Sequence, residues 1–127
     1  MKKLLLLLLI LPMIGLGQNK IELRENEQIL KKGRANYQAK LIDQPGRAYV
    51  TNQRFYFITS KLATKRHDLS FNIQEIKSID KGGASFRGGL SAAINSIKIV
   101  LNNGEEYIFR VWKRKKWIKE VNAVIQQ

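Results

Sequence analysis

The side chains able to do chemistry in this chain are few, and most of them are cationic. Lysine and arginine together number 23 against 10 acidic residues, a formal charge of +13. Two clusters stand out. Lys61, Lys65 and Arg66 precede His67, and Lys113, Arg114, Lys115, Lys116 and Lys119 surround Trp112 and Trp117. The chemistry on offer is attraction to anions: phospholipid or glycolipid head groups, acidic polymers or nucleic acid. A basic run flanked by tryptophans suits a membrane interface, where indole lies at head-group depth and lysines meet anionic lipid. Each lysine close to such a surface adds about 1 kcal/mol, so four or five suffice for weak, reversible association without a pocket. The plain alternative is a solvated basic face that keeps the domain soluble, and both readings stand at this point.

Other chemistries lack their parts. His67 is the sole histidine and cysteine is absent, so no Ser-His-Asp triad, histidine metal cluster, thiolate site or disulfide can be assembled. His67, between Arg66 and Asp68, reads as a solvated loop residue. Asp68 and Asp80 are separated by a strand-like segment and show no paired acid–base spacing. Glycines 82, 83, 88 and 89 are followed by no Gly-Lys-Ser/Thr and framed by no strand–loop–helix order, so they make no phosphate loop. The expectation is a non-enzymatic protein with no catalytic residue, metal, cofactor or small-molecule substrate.

The first residues read as an address. Met1-Lys2-Lys3 is a positive start, and Leu4 to Gly17 is an apolar stretch of 14 residues broken by Pro12. A membrane-spanning helix needs about 20 residues, a signal-peptide core about 7–15. Gly15 and Gly17 stand at the −3 and −1 positions of a cut before Gln18. Residues 1–17 are therefore expected to be a signal peptide and the protein to be exported, periplasmic or secreted; the alternative is an uncleaved N-terminal anchor. Cleavage removes Lys2 and Lys3 and lowers the formal charge by two, to +11. Export disfavours nucleic acid as a partner.

The remainder must position these cations. Residues 18–26 read as a lead-in and 27–127 as one domain. Turn residues recur at short intervals: Asp43-Gln44-Pro45-Gly46, Thr51-Asn52, Lys81-Gly82-Gly83, Gly88-Gly89 and Asn102-Asn103-Gly104. Frequent turns predict many short strands. Ile97, Ile99 and Leu101 alternate with Ser96, Lys98 and Val100, and Tyr107, Phe109 and Val111 with Glu106, Ile108 and Arg110; Asn103-Gly104 between the two runs is a hairpin signal because both residues tolerate positive φ. Phe55 and Phe57 alternate likewise. Leu69, Phe71 and Ile73 do so until the rhythm shifts to Ile76 and Ile79, which predicts a bend or bulge. Trp117, Ile118, Val121, Val124 and Ile125 then fall on one face of a helix, and Trp112 marks the strand-to-helix corner. Strands that each bury one face must wrap around a shared core, with the helix as a lid.

Residues 46–57, Gly46-Arg47-Ala48-Tyr49-Val50-Thr51-Asn52-Gln53-Arg54-Phe55-Tyr56-Phe57, resemble the signature of the GRAM domain, a branch of the pleckstrin-homology-like superfold. Leu69 to Ile79, residues 103–109 and the Trp117 helix resemble that family's later segments in order, from about Glu27 to Val124. The resemblance implies a mainly β, pleckstrin-homology-like barrel or sandwich of about seven strands capped by a C-terminal α-helix. It also implies a binding role. The loop carrying Lys61, Lys65 and Arg66 resembles a ligand edge, with Lys31, Lys32, Arg34 and Lys40 as neighbours at that end. Between Thr51 and Arg54 a tight turn is expected, with Asn52 left-handed and Arg54 bonded to carbonyls at the barrel mouth rather than to ligand. The resulting expectation is a module that associates with anionic lipid or an envelope surface through its basic clusters. The alternative is a protein-interaction module using an edge strand or a helix groove.

Overall fold

The computed structural model describes residues 21–39, 42–82 and 94–126. The expected leader over 1–17, Lys40 and the glycines at 83, 88 and 89 lie outside the described residues. The alternating segments become β1 (Ile29–Gln38), β2 (Asp43–Thr51), β3 (Arg54–Thr59), β4 (Asp68–Asn72), β5 (Ile76–Lys81), β6 (Ser96–Leu101) and β7 (Glu106–Val111). Helix α1 (Arg114–Ile125) follows. The strands pair antiparallel in one sheet of order β4-β3-β2-β1-β7-β6-β5.

That sheet is rolled. In a flat sheet β3 and β7 would lie about 14 Å apart, three strand spacings. Yet the rings of Phe55 and Phe57 on β3 sit 5.1 and 5.3 Å from Phe109 on β7, and Phe71 on β4 sits 4.6 Å from Tyr107. The bend falls where β1 meets β7, a junction of three residue pairs from Ala35↔Val111 to Tyr37↔Phe109. Inward residues of all seven strands and the α1 stripe of Trp117, Val121 and Val124 form one core. The expected barrel-like core with its helical lid is thus the architecture.

The molecule has two distinct ends. At the base lie the β2–β3 and β6–β7 turns and a 3₁₀ turn, Ile73–Glu75, which bridges the edge strands β4 and β5 where the hydrophobic rhythm shifts. Asn102 ties two of these together, its N–H donating to the Glu75 carbonyl at 2.9 Å and its side-chain amide to the Gln74 carbonyl at 2.7 Å. At the other end, the mouth, lie the β1–β2, β3–β4 and β5–β6 connections and the corner from β7 into α1.

Three sequence expectations are corrected. Asp43-Gln44-Pro45-Gly46 is not a turn but the start of β2. Proline is tolerated there because the β2–β3 ladder begins only at Gly46↔Thr59, and the Pro45 carbonyl accepts the Ser60 N–H at 2.9 Å. Asn103 does not adopt positive φ; Gly104 alone does, at 93°. A Leu101–Gly104 turn closes through the Gly104 N–H to the Leu101 carbonyl, so the hairpin is the three-residue loop with a glycine bulge. Asn52 is not left-handed either.

Gly46 is required by close approach. A Cβ there would meet the Ile58 carbonyl and lie 2.7 Å from the Phe57 ring. Gly46→Ala is expected to lower unfolding free energy by about 1–3 kcal/mol, read by urea denaturation.

Candidate functional site

The base is built by the segment that carries the family resemblance. Thr51 Oγ1 accepts the N–H groups of Gln53 at 3.0 Å and Arg54 at 2.9 Å, so the hydroxyl closes the turn that a left-handed asparagine was expected to close. Asn52 instead turns outward to the lead-in: its Oδ1 accepts the Gln28 N–H at 2.7 Å and its amide donates to the Asn26 carbonyl at 3.0 Å. Gln53 Nε2 donates to the Glu25 carbonyl at 2.8 Å. Arg54 is buried, its Nε 2.8 Å from Glu27 Oε2 and its Nη2 3.1 Å from Oε1, with a further donation to the Glu22 carbonyl at 2.8 Å. Thr51 Oγ1 donates to Glu27 Oε2 at 2.6 Å and the Arg24 N–H to Oε1 at 2.8 Å. Burial pulls the Glu27 pKa upward, yet the Arg54 guanidinium, the Arg24 N–H and the Thr51 hydroxyl hold it below the ordinary 4.5. Thr51, Asn52, Gln53 and Arg54 therefore pin residues 22–28 onto the base. Arg54 is spent on structure, but not at the barrel mouth with carbonyl partners as expected: it sits at the base, chiefly on the Glu27 carboxylate, with the Glu22 carbonyl as its one carbonyl partner among the described residues.

The mouth collects the expected cations. Lys61, Lys65 and Arg66 are exposed in the β3–β4 connection, and Arg66 Nη1 donates to the Ser60 carbonyl at 3.1 Å. Lys113 is the left-handed hinge between β7 and α1, with φ 56° and ψ 58°. Arg114 is half-buried, its Nη1 donating to the Ser96 carbonyl at 3.3 Å, whereas Lys115 and Lys116 are exposed on the first turn of α1. Lys31 and Lys32 do not belong to this end. They pair with Val50 and Tyr49 towards the base, and Lys31 Nζ lies 5.0 Å over the Trp117 ring. His67 is half-buried, not solvated: its ring meets Tyr37 edge-on at 5.1 Å. Trp112 forms the corner, 73% exposed, while its carbonyl accepts the buried Trp117 Nε1–H at 3.2 Å.

Two grooves flank the β1–β2 hairpin at the mouth. One, about 650 Å³, is lined by Tyr37, Ile42, Gln44 and His67, with Lys65 as its one lysine or arginine among the described residues. The other, about 660 Å³, runs over the outer wall of β1, β2 and β7 and is lined by Arg34, Arg47 and Arg110, with Leu62 and Trp112 at its lips. The neighbours of those lips are Lys61 and Lys113, so the groove lies between the two basic clusters. Arg34 and Arg47 are direct cross-strand partners. Arg110 pairs with Asp43, Nη2 to Oδ2, at 3.0 Å. Sequence reasoning missed Arg47 and Arg110 as site residues because they sit on strands far apart in the chain; their outward place in each alternation was the available signal.

A rolled seven-stranded antiparallel sheet closed by one C-terminal helix defines a pleckstrin-homology-like β domain. Solved structures agree. The C-terminal domain of an unknown protein from Leishmania infantum matches at 17% identity, 80% of this chain and 86% of that one, with a TM-score of 0.64. The C-terminal PH domain of human pleckstrin matches at 14%, 84% and 97%, with a TM-score of 0.58. The Slm1 PH domain in complex with phosphoserine matches at 12%, 78% and 97%, with a TM-score of 0.57. At such identities they establish the fold alone. No curated protein matches the chain. The sequence pattern of the GRAM domain matches residues 16–114, and the chain belongs to that family. GRAM and PH-like domains are typically lipid- or protein-binding modules and generally non-catalytic.

Proposed function

We propose that this chain is a non-enzymatic, exported binding module that associates with an anionic lipid or envelope surface through its mouth. The observation that carries the reading is the company the cations keep. Ile42, Leu62, Ile94 and Trp112 are exposed, each in or beside a different connection, and all four stand at the end that bears Lys61, Lys65, Arg66, Lys113, Arg114, Lys115 and Lys116. Exposed apolar tips among lysines match the layered chemistry of a membrane interface, with acyl boundary below and phosphate above. The apolar leader over residues 1–17 supports export.

The test is co-sedimentation with anionic and with neutral vesicles, at low and high salt. Binding to the anionic vesicles alone, weakened by salt, is expected. The triple variant K113Q/K115Q/K116Q removes about 3 kcal/mol of attraction and lowers partitioning about a hundredfold. Equal pelleting with both vesicle types would end this reading. A protein partner at an edge strand has less support: β4 spans five residues, Asp68–Asn72, and β5 is irregular at Ile76/Ser78. Short and irregular edges resist strand addition.

A further inference from the structure

A third groove, about 650 Å³, opens at the base, where the lead-in, the β2–β3 turn, the 3₁₀ turn and the last turn of α1 meet. Its floor is aliphatic: Ile73, Ile76, Val124 and Ile125. Its rim is made of amides, Asn52, Gln53, Asn72 and Gln74, with Arg24 as the one charged residue lining it among the described residues. The rim already shows what it recognises. Asn52 holds the Asn26 carbonyl and the Gln28 N–H, and Gln53 holds the Glu25 carbonyl, so each of these partners is main chain. Capacity is left over. Among the described residues the Gln74 side chain makes no hydrogen bond, and Asn72 Nδ2 and Gln53 Oε1 have no partner. Arg24 Nη1 donates to Asn72 Oδ1 at 2.8 Å, and no ion pair among the described residues includes Arg24. Glu75 on the 3₁₀ turn accepts the Asn72 N–H instead, at 3.2 Å. A neutral amide therefore positions the guanidinium and leaves its charge uncompensated.

We infer that this groove binds the carboxyl-terminal residue of a partner polypeptide, one with an aliphatic side chain. With Nη1 held by Asn72, Arg24 Nε and Nη2 remain as a side-on fork. One such fork matches the two oxygens of a carboxylate, whereas a phosphate calls for more than the single cation present. The last turn of α1 sets the direction of the ligand. Helix carbonyls there lack intrahelical donors and carry the negative end of the macrodipole. That wall takes peptide N–H groups and repels a carboxylate, which goes to Arg24. The open amides of Gln74 and Asn72 meet the last peptide groups, as their neighbours already meet the lead-in. The terminal side chain lies on half-buried Ile73 and Ile125, over buried Ile76 and Val124. The Arg24 N–H is itself bonded to Glu27, so the groove is complete only while the Glu27–Arg54 clasp is shut. The inference goes beyond the surface reading and does not depend on it: base and mouth are opposite ends, so one molecule can hold a surface and a chain end together.

The test titrates the full chain, isotope-labelled, with the peptide N-acetyl-Gly-Gly-Gly-Leu and follows amide NMR signals. Saturable shifts are expected at the Asn72 and Gln74 side-chain amides and at Val124 and Ile125. The carboxamide form of the same peptide should bind about tenfold more weakly, the size of one charge-assisted hydrogen bond. Replacing its leucine by glycine should weaken binding about tenfold as well, through the lost aliphatic contact. R24Q should erase the difference between acid and amide peptides and leave the melting temperature unchanged, because the Arg24 side chain is exposed and glutamine keeps a donor for Asn72 Oδ1. K115Q/K116Q, at the far end, should alter nothing, which separates the groove from general attraction of a carboxylate to a basic protein. No saturable shift, equal binding of acid and amide peptides by the parent, or an acid preference that survives in R24Q overturns the site. Shifts that fall at the mouth and vanish in K115Q/K116Q do so too. None of these outcomes bears on vesicle binding, so the two readings fail separately.

Discussion

Glu27→Ala is expected to cost about 3–5 kcal/mol of unfolding free energy, measured by urea denaturation at neutral pH. The Glu27 side chain is fully buried and both its oxygens are engaged. Its removal strands the Arg54 guanidinium in a desolvated site and leaves the Arg24 N–H and the Thr51 hydroxyl without their acceptor. Desolvation of an unpaired charge, not the loss of one hydrogen bond, sets the size of the effect. The same geometry fixes a pH dependence. Because the folded carboxyl titrates below its ordinary value of 4.5, its contribution is fully present above that pH and declines as pH falls through the lower, folded value. Glu27→Gln should flatten the acid limb of stability below about pH 4.5 relative to the parent. An acid limb of unchanged steepness would show that other carboxylates govern it.

Trp117→Ala is expected to cost about 3–5 kcal/mol as well, through a different cause. Trp117 is the largest side chain of the α1 stripe, 2% exposed. Its Cζ2 lies 3.2 Å from where a side chain at Gly33 would begin, so β1 is notched to receive it. It meets Phe55 edge-on at 6.5 Å, and its Nε1–H holds the Trp112 carbonyl. Alanine leaves a void that the rolled sheet cannot close and frees the hinge at Lys113. Trp117→Phe refills much of the volume and should recover about half of the loss. Thermal unfolding followed by near-ultraviolet circular dichroism reads both variants. A loss below about 1 kcal/mol for alanine would mean that the helix contributes little to the core.

The architecture was legible wherever one short-range rule decided it. Ile97, Ile99 and Leu101 alternate, and all three are buried; the helical stripe from Trp117 to Ile125 packs as its spacing indicates. The bend after Ile73 is the 3₁₀ turn. The failures share a cause. Asp43-Gln44-Pro45-Gly46 has turn composition, but pairing with β1 from Gln38↔Asp43 onwards outweighed local preference. Asn52 was assigned a backbone conformation, whereas its side chain is used at long range, on residues 24 and 26 positions earlier. Arg34, Arg47 and Arg110 share one wall only because β1 sits between β2 and β7. Composition reveals how much charge there is; only strand order reveals which charges are neighbours.

The glutamates are distributed as unevenly as the lysines. Glu22, Glu25 and Glu27 lie in the pinned lead-in, Glu75 in the 3₁₀ turn, and Glu105 and Glu106 at the β6–β7 hairpin, so six of the ten acidic residues gather at the base. Arg24, Lys31, Lys32 and Arg54 share that end and offset most of this charge, so the base is near neutral while the mouth is positive, and the molecule carries a permanent electrical asymmetry between its two ends. An anionic sheet exerts a torque on such a body from about a Debye length away, roughly 8–10 Å in physiological salt. Under the proposed surface binding, approaching molecules would be turned before they touch, with the tryptophan corner facing down.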